Sequence, residues 1–97
     1  MLTRIVKMEF QTDKVSDFLA NFEEIKLKIR NFPGCQKLDL LQDKNRPEII
    51  FTYSVWESEE ALNNYRKSEL FGEVWPYTKS LFSGKPEAWS VNKVHEL

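Results

Sequence analysis

The sequence predicts an α+β domain of split βαβ plan, a four-stranded antiparallel sheet with helices packed on one face. Three observations carry that prediction. Apolar residues change period along the chain, from alternation to a three-and-four spacing, then two alternating runs, then helical spacing, then alternation again, which orders the elements as strand, helix, strand, strand, helical pair, strand. At 97 residues the chain has room for one core, and no repeat, low-complexity tract or linker divides it, so residues 1–97 form a single domain. Finally, one strand carries apolar groups on both faces, which makes it central and covered on both sides.

The first strand is read from "TRIVKMEF", where Arg4, Val6, Met8 and Phe10 share one face and Thr3, Ile5, Lys7 and Glu9 the other. "QTD" breaks the alternation and offers Thr12 or Asp13 as a helix N-cap. Val15, Phe18, Leu19, Phe22, Ile25 and Ile29 then form one helical stripe. Lys26, Lys28 and Arg30 complement the dipole at its end, and Pro33-Gly34 stops it. "CQKLDLLQD" and "EIIFTYSVW" are strands joined by "KNRP". In the second, Ile49, Phe51, Tyr53 and Val55 lie on one face and Ile50, Thr52, Ser54 and Trp56 on the other.

Ser58 caps the next helix, with Glu59 and Glu60 in its first turn. Ser68 offers a second capping point, after which Leu70, Phe71, Val74, Trp75, Thr78, Leu81 and Phe82 restore the period. Pro76 conflicts with an unbroken helix and predicts a kink or a loosened turn. "SGKPE" ends this segment and "AWSVNKV" alternates as a last strand. Helices on one side leave the other sheet face apolar, and soluble monomers rarely expose such a patch. Sheet-to-sheet homodimerisation is therefore expected.

Composition narrows function. Charged residues make up 30% of the chain but balance to a net −1, which lacks the basic excess of a phosphate-backbone binder and sets nucleic acid aside. No apolar run approaches the roughly 18 to 20 residues of a membrane span, and the first residues show no signal-peptide pattern, so a cytoplasmic location away from membranes is expected. Cys35 and His95 are the only residues of their kinds, which excludes an internal disulfide, a thiolate-rich metal site and a two-histidine acid–base pair within one chain; no metal is expected. Cys35 reads as a small inert residue, the Glu57, Glu59, Glu60 cluster as dipole complement, and Asp39 and Asp43 show no ligand spacing.

Aromatic residues reach 13%, and they concentrate in "NNYRKSELFGEVWPYTKSLF", residues 63–82. This segment reads either as a buried stripe or as the lining of a pocket for a flat organic molecule. Leu70, Phe71, Val74, Leu81 and Phe82 suit the core by period; Trp56 and Trp89 also fit a core reading.

"FTYSVWESEEALNNYRKSELFGEVW" followed by "AWSV" resembles the antibiotic biosynthesis monooxygenase family. These are small ferredoxin-like domains that pair into a dimeric α/β barrel. The similarity spans nearly the whole chain in element order and is most specific in the tryptophan-ended strand, the acidic capped helix and the "KSELF" segment. The resemblance implies a cofactor-free monooxygenase or related oxidoreductase, with a small quinol-like aromatic and molecular oxygen as its partners. Other branches degrade heme or isomerise signal molecules, and some domains have no known role. The heme-degrading branch has an asparagine on its first strand, a tryptophan on the helix after the strand-ending tryptophan, and an axial histidine further on. Here "RIVKMEF" has no asparagine, Tyr65 stands where that tryptophan would fall and Trp75 where the histidine would. Indole nitrogen is a donor only, so heme is disfavoured. Histidines that the quinol-oxidising branch places near Tyr65 and Glu69 are absent as well. The resemblance leaves Tyr65 and Trp75 as catalytic candidates. Tyr53, Trp56, Phe71 and Trp89 are the substrate-binding candidates, and a non-catalytic binding or stress-related module is the alternative.

Overall fold

A computed structural model describes all 97 residues. Strands β1 (Leu2–Glu9), β2 (Cys35–Gln42), β3 (Ile49–Trp56) and β4 (Glu87–Val91) form one sheet in the order β2-β3-β1-β4, with every neighbouring pair antiparallel. Helix α1 (Val15–Arg30) links β1 to β2, while α2 (Glu59–Arg66) and α3 (Glu69–Ser80) link β3 to β4. Each link spans an intervening strand, which is the split βαβ arrangement of a ferredoxin-like fold.

Alternation in the sequence decides which side chains meet the helices. Val6, Met8, Leu40 and Ile50 pack beneath α1 and α3 together with Phe10, Phe18 and Leu81. A second cluster gathers Cys35, Trp56 and Leu62, with Leu38, Phe32 and Tyr65 against it. On the opposite face the register aligns Asp39, Tyr53, Ile5 and Trp89 in one row and Leu41, Phe51, Lys7 and Glu87 in the next. No helix packs on that face, and on its edge strands Leu41 is 49% and Trp89 44% exposed.

Several local expectations change. Thr12 and Asp13 do not cap α1; they form a short 3-10 turn, Thr12–Lys14, and α1 starts without a side-chain cap. Leu19 lies at the edge of the helical stripe and is exposed. Phe10 leaves the strand but stays paired through an isolated bridge to Phe82. Alternation in "AWSVNKV" continues past the last sheet partner, so β4 stops at Val91. Pro76 sits inside α3, which runs through it as a helix. The amide it lacks would have bonded the Gly72 carbonyl, and both residues are exposed, so water can take that role.

The caps of α2 and α3 form as the sequence indicates. Ser58 Oγ accepts from the Ala61 amide at 3.1 Å, and Ser68 Oγ accepts from the Phe71 amide at 3.1 Å. Ser68 Oγ also donates to the Tyr65 carbonyl at 2.6 Å, tying the end of α2 to the start of α3. In the β2–β3 turn, Asp43 Oδ1 accepts from the Asn45 and Arg46 amides, and those bonds hold its carboxyl below the usual range.

Gly34 turns the chain from α1 into β2 with φ at +90°, a conformation that disfavours side chains. A Cβ there would lie 2.4 Å from Ala61 Cβ on α2. Gly34→Ala is therefore expected to cost about 1–3 kcal/mol from backbone strain, with the clash added. Urea denaturation checks this, and an unchanged midpoint would show that the turn relaxes freely.

Candidate functional site

Between the two packed clusters lies a half-open cavity of about 250 Å³. Its floor is the helix-facing side of the sheet: Arg4, Val6 and Met8 from β1, and Thr52, Ser54 and Trp56 from β3. All six share one pleat parity, so the alternation that builds the core also lines the cavity. The opposite wall comes from Tyr65 and Arg66 at the end of α2 and from Phe71, Val74 and Trp75 on α3. Phe18 and Phe22 of α1 close one end. Pro86 and Ala88 border the other, beside β4, whose residues are all exposed.

Aromatic contacts run around this space without a break. Trp56 stacks on Tyr65 with centroids 5.0 Å apart, and Tyr65 meets the edge of Phe71 at 5.2 Å. Phe71 stacks on Trp75 at 5.7 Å, and Trp75 reaches Phe82 at 5.7 Å. Phe82, Phe10 and Phe18 carry the series back under α1. The rings brace one another along the cavity wall.

Most polar groups at the wall are already engaged. The Trp56 indole N–H donates to Ser54 Oγ at 3.0 Å, and Ser54 Oγ donates to the Arg4 carbonyl at 3.4 Å. Thr78 Oγ1 donates to the Val74 carbonyl at 2.8 Å. The Tyr65 hydroxyl and the Trp75 indole N–H bond no protein group, yet no fully buried side-chain nitrogen or oxygen lacks a partner. Both therefore keep some access to solvent, and both residues line the cavity. Burial pushes the Tyr65 phenol well above its ordinary range, and the nearby Cys35 thiol adds to this. Tyr65 is thus a proton-bearing donor at neutral pH and not a base. Burial also raises the Cys35 thiol, outweighing the nearby Arg30 charge and a backbone hydrogen bond from Lys37.

Of the residues singled out from sequence, Tyr65, Trp75, Trp56 and Phe71 come together around this cavity. Tyr53 and Trp89 do not. They share the outer row of the sheet with Ile5, because odd-numbered positions of β3 and β4 point away from the helices. Their aromatic character serves that outer face, and Trp89 is no core residue either. Sequence reasoning left out Arg4 and Arg66 at the cavity wall. The available signal was a charged residue in the apolar phase of β1, and a second one directly after Tyr65.

His95 lies in the C-terminal segment beyond β4 and the Glu57, Glu59, Glu60 cluster lies on the surface. No group of three His, Cys, Asp or Glu side chains is placed to hold a metal. The cavity lining contains no histidine or cysteine. No helix is long and apolar enough to cross a membrane.

Comparison with known proteins agrees with this geometry. The family model for antibiotic biosynthesis monooxygenase matches residues 1–75, a span that includes every cavity residue of β1, β3 and α2 and reaches Trp75 on α3. A crystal structure of an antibiotic biosynthesis monooxygenase superposes with a TM-score of 0.91 at 21% identity, over 98% of this chain and 100% of that one. A conserved protein from Methanosarcina mazei gives 0.88 at 22%, over 96% and 93%. A Mycobacterium tuberculosis protein gives 0.88 at 17%, over 98% and 96%. At these identities the structures establish the fold alone. No curated protein matches the sequence. With its matching family model, its strand order and its aromatic cavity, the chain belongs to the antibiotic biosynthesis monooxygenase family.

Proposed function

We propose that the protein is a cofactor-free monooxygenase of a small, electron-rich aromatic, quinol-like in character, acting in the cytoplasm as a homodimer. The observation that carries this is the half-open, aromatic-walled cavity holding two donors, the Tyr65 hydroxyl and the Trp75 indole N–H, that no protein group satisfies.

Such a reaction asks little of the protein. A phenolic substrate lies flat against Trp56, Phe71 and Trp75 with its oxygen toward Tyr65. No carboxylate, imidazole or amine lines the cavity, so the phenolic proton leaves to water at the open side. Donation from Tyr65 stabilises the resulting anion. The anion passes one electron to dioxygen, and the radical pair combines at a carbon that bears two hydrogens in the keto tautomer. Loss of water from that hydroperoxide leaves a carbonyl. One oxygen atom stays on the product, the other leaves as water, and the substrate supplies all the electrons. Apolar walls limit water access and protect the radical pair.

Oxygen uptake with a panel of benzohydroquinones and naphthohydroquinones tests this. Turnover is expected with at least one, and Tyr65→Phe should slow it by roughly 100-fold if its hydroxyl meets the developing oxyanion. No uptake across the panel by folded protein would overturn the reading. The missing acid–base side chain favours a second reading, ligand binding without turnover. Under that reading the same compounds raise Tm but consume no oxygen.

A further inference from the structure

We infer that the ligand of this cavity carries a carboxylate, that is, an aromatic acid whose ring enters between Trp56, Phe71 and Trp75 while its anionic end is held by Arg4 and Arg66. The inference rests on the cavity being the binding site and adds the charge of its occupant.

Two guanidinium groups line the cavity, one from β1 and one from α2, and no aspartate or glutamate lines it with them. Neither arginine enters an ion pair, although Lys7, Lys14, Lys26, Lys37 and Arg46 all find carboxylates elsewhere on the surface. Arg4 donates one Nη1 hydrogen to Ser90 Oγ at 2.9 Å, which steadies its head group but leaves most of its five donors free. Arg66 is exposed and has no partner of its own. Half-buried, with a second cation close by, Arg4 has its pKa lowered by desolvation first and by Arg66 second. Two like charges beside an apolar space repel each other, and a bound anion relieves that repulsion.

Chemistry selects the anion. Guanidinium presents a planar fork that matches the two oxygens of a carboxylate, and the flat aromatic walls match a conjugated acid. Size sets the ring count. About 250 Å³ lies just under the roughly 300–1,000 Å³ of drug-sized pockets, so one or two fused rings fit and a polycyclic ligand does not.

Isothermal titration calorimetry of the intact protein with 2-naphthoate and with its uncharged isostere, 2-naphthamide, tests the assignment. The acid is expected to bind at least about tenfold more tightly at low salt, the scale of one charge-assisted hydrogen bond. That preference should shrink as KCl is raised. Arg66→Gln, at an exposed position, should remove most of the preference by weakening the acid far more than the amide. Arg4→Gln should act in the same direction, and Arg66→Lys should restore part of the preference. Equal affinity for acid and amide, or a preference that survives Arg66→Gln and Arg4→Gln together, overturns the inference and leaves the cavity standing as a neutral-ligand site. Binding of neither compound overturns both the inference and the aromatic-cavity reading beneath it.

Discussion

Replacing Trp56 with alanine is expected to lower stability by about 3–5 kcal/mol, the typical cost of emptying a large core site. The residue ends β3 at 1% exposure, pairs across to Leu2 and Cys35, and stacks on Tyr65. Its removal would join an empty volume to the existing cavity, so the surroundings have little reason to collapse and refill it. One polar link and one aromatic contact go with the ring. The indole N–H satisfies Ser54 Oγ, and Phe32 packs on the indole edge at 6.4 Å. Against a total stability of about 5–15 kcal/mol for domains of this kind, the loss should move Tm by on the order of 20 °C at fixed protein concentration. Trp56→Phe separates the contributions, since it keeps an aromatic partner for Tyr65 and loses only the N–H and one ring. A fall of around 1–2 kcal/mol is expected there. If Trp56→Ala melts within a few degrees of the wild type, the residue is not the junction between core and cavity that its position indicates.

Trp56 also shows where sequence reading succeeds. Period and burial agree at the strands and at α1, so the order of the elements and the two alternating faces of β1 and β3 were legible in the sequence. The same parity places Tyr53 and Trp56 on opposite faces, since they are three residues apart on one strand. Grouping both in one pocket conflicted with the pleat; residue type suggested a shared role that geometry denies. Pro76 misled in another way. The steric conflict it introduces falls on the carbonyl of Gly72, an exposed residue with open space around it, and helix α3 runs through. Arg4 and Arg66 escaped notice because their proximity depends on how α2 crosses the sheet, a tertiary relation with no local signature. The cavity itself was not readable either, because a void is a shortage of packing between elements and not a property of any one of them.

Ile5→Glu should turn the proposed dimer into a folded monomer. Ile5 sits on central strand β1, flanked across the sheet by Tyr53 and Trp89, with Phe51 and Val55 on the adjoining rows. Leu41, Trp89 and Val91 are substantially exposed on this same face, and no helix packs on it. The paired charges Lys7–Glu87 and Lys37–Asp39 stand among these apolar groups, which suits the polar part of an interface. Two such faces meeting about a two-fold axis would bury the patch on both protomers, and each substitution then acts twice. A carboxylate placed at the centre must be desolvated with no partner, which costs several kcal/mol. The dissociation constant should rise at least about a hundredfold, an increment of roughly 3 kcal/mol. Sedimentation equilibrium measures it, and circular dichroism reports whether the monomer keeps its fold, as expected for a side chain outside both core clusters. A wild type that sediments as a monomer at high concentration, or an Ile5→Glu protein that stays dimeric, would remove this face as the interface. The prediction also bears on the site, because β1 divides two functions by parity. Arg4 and Val6 face the cavity while Ile5 and Lys7 face outward, so one strand forms the wall between the ligand site and the proposed subunit contact. Each protomer then keeps its own cavity on the far side of the sheet from its partner, and the monomeric variant should still bind ligand wherever the sheet holds its shape.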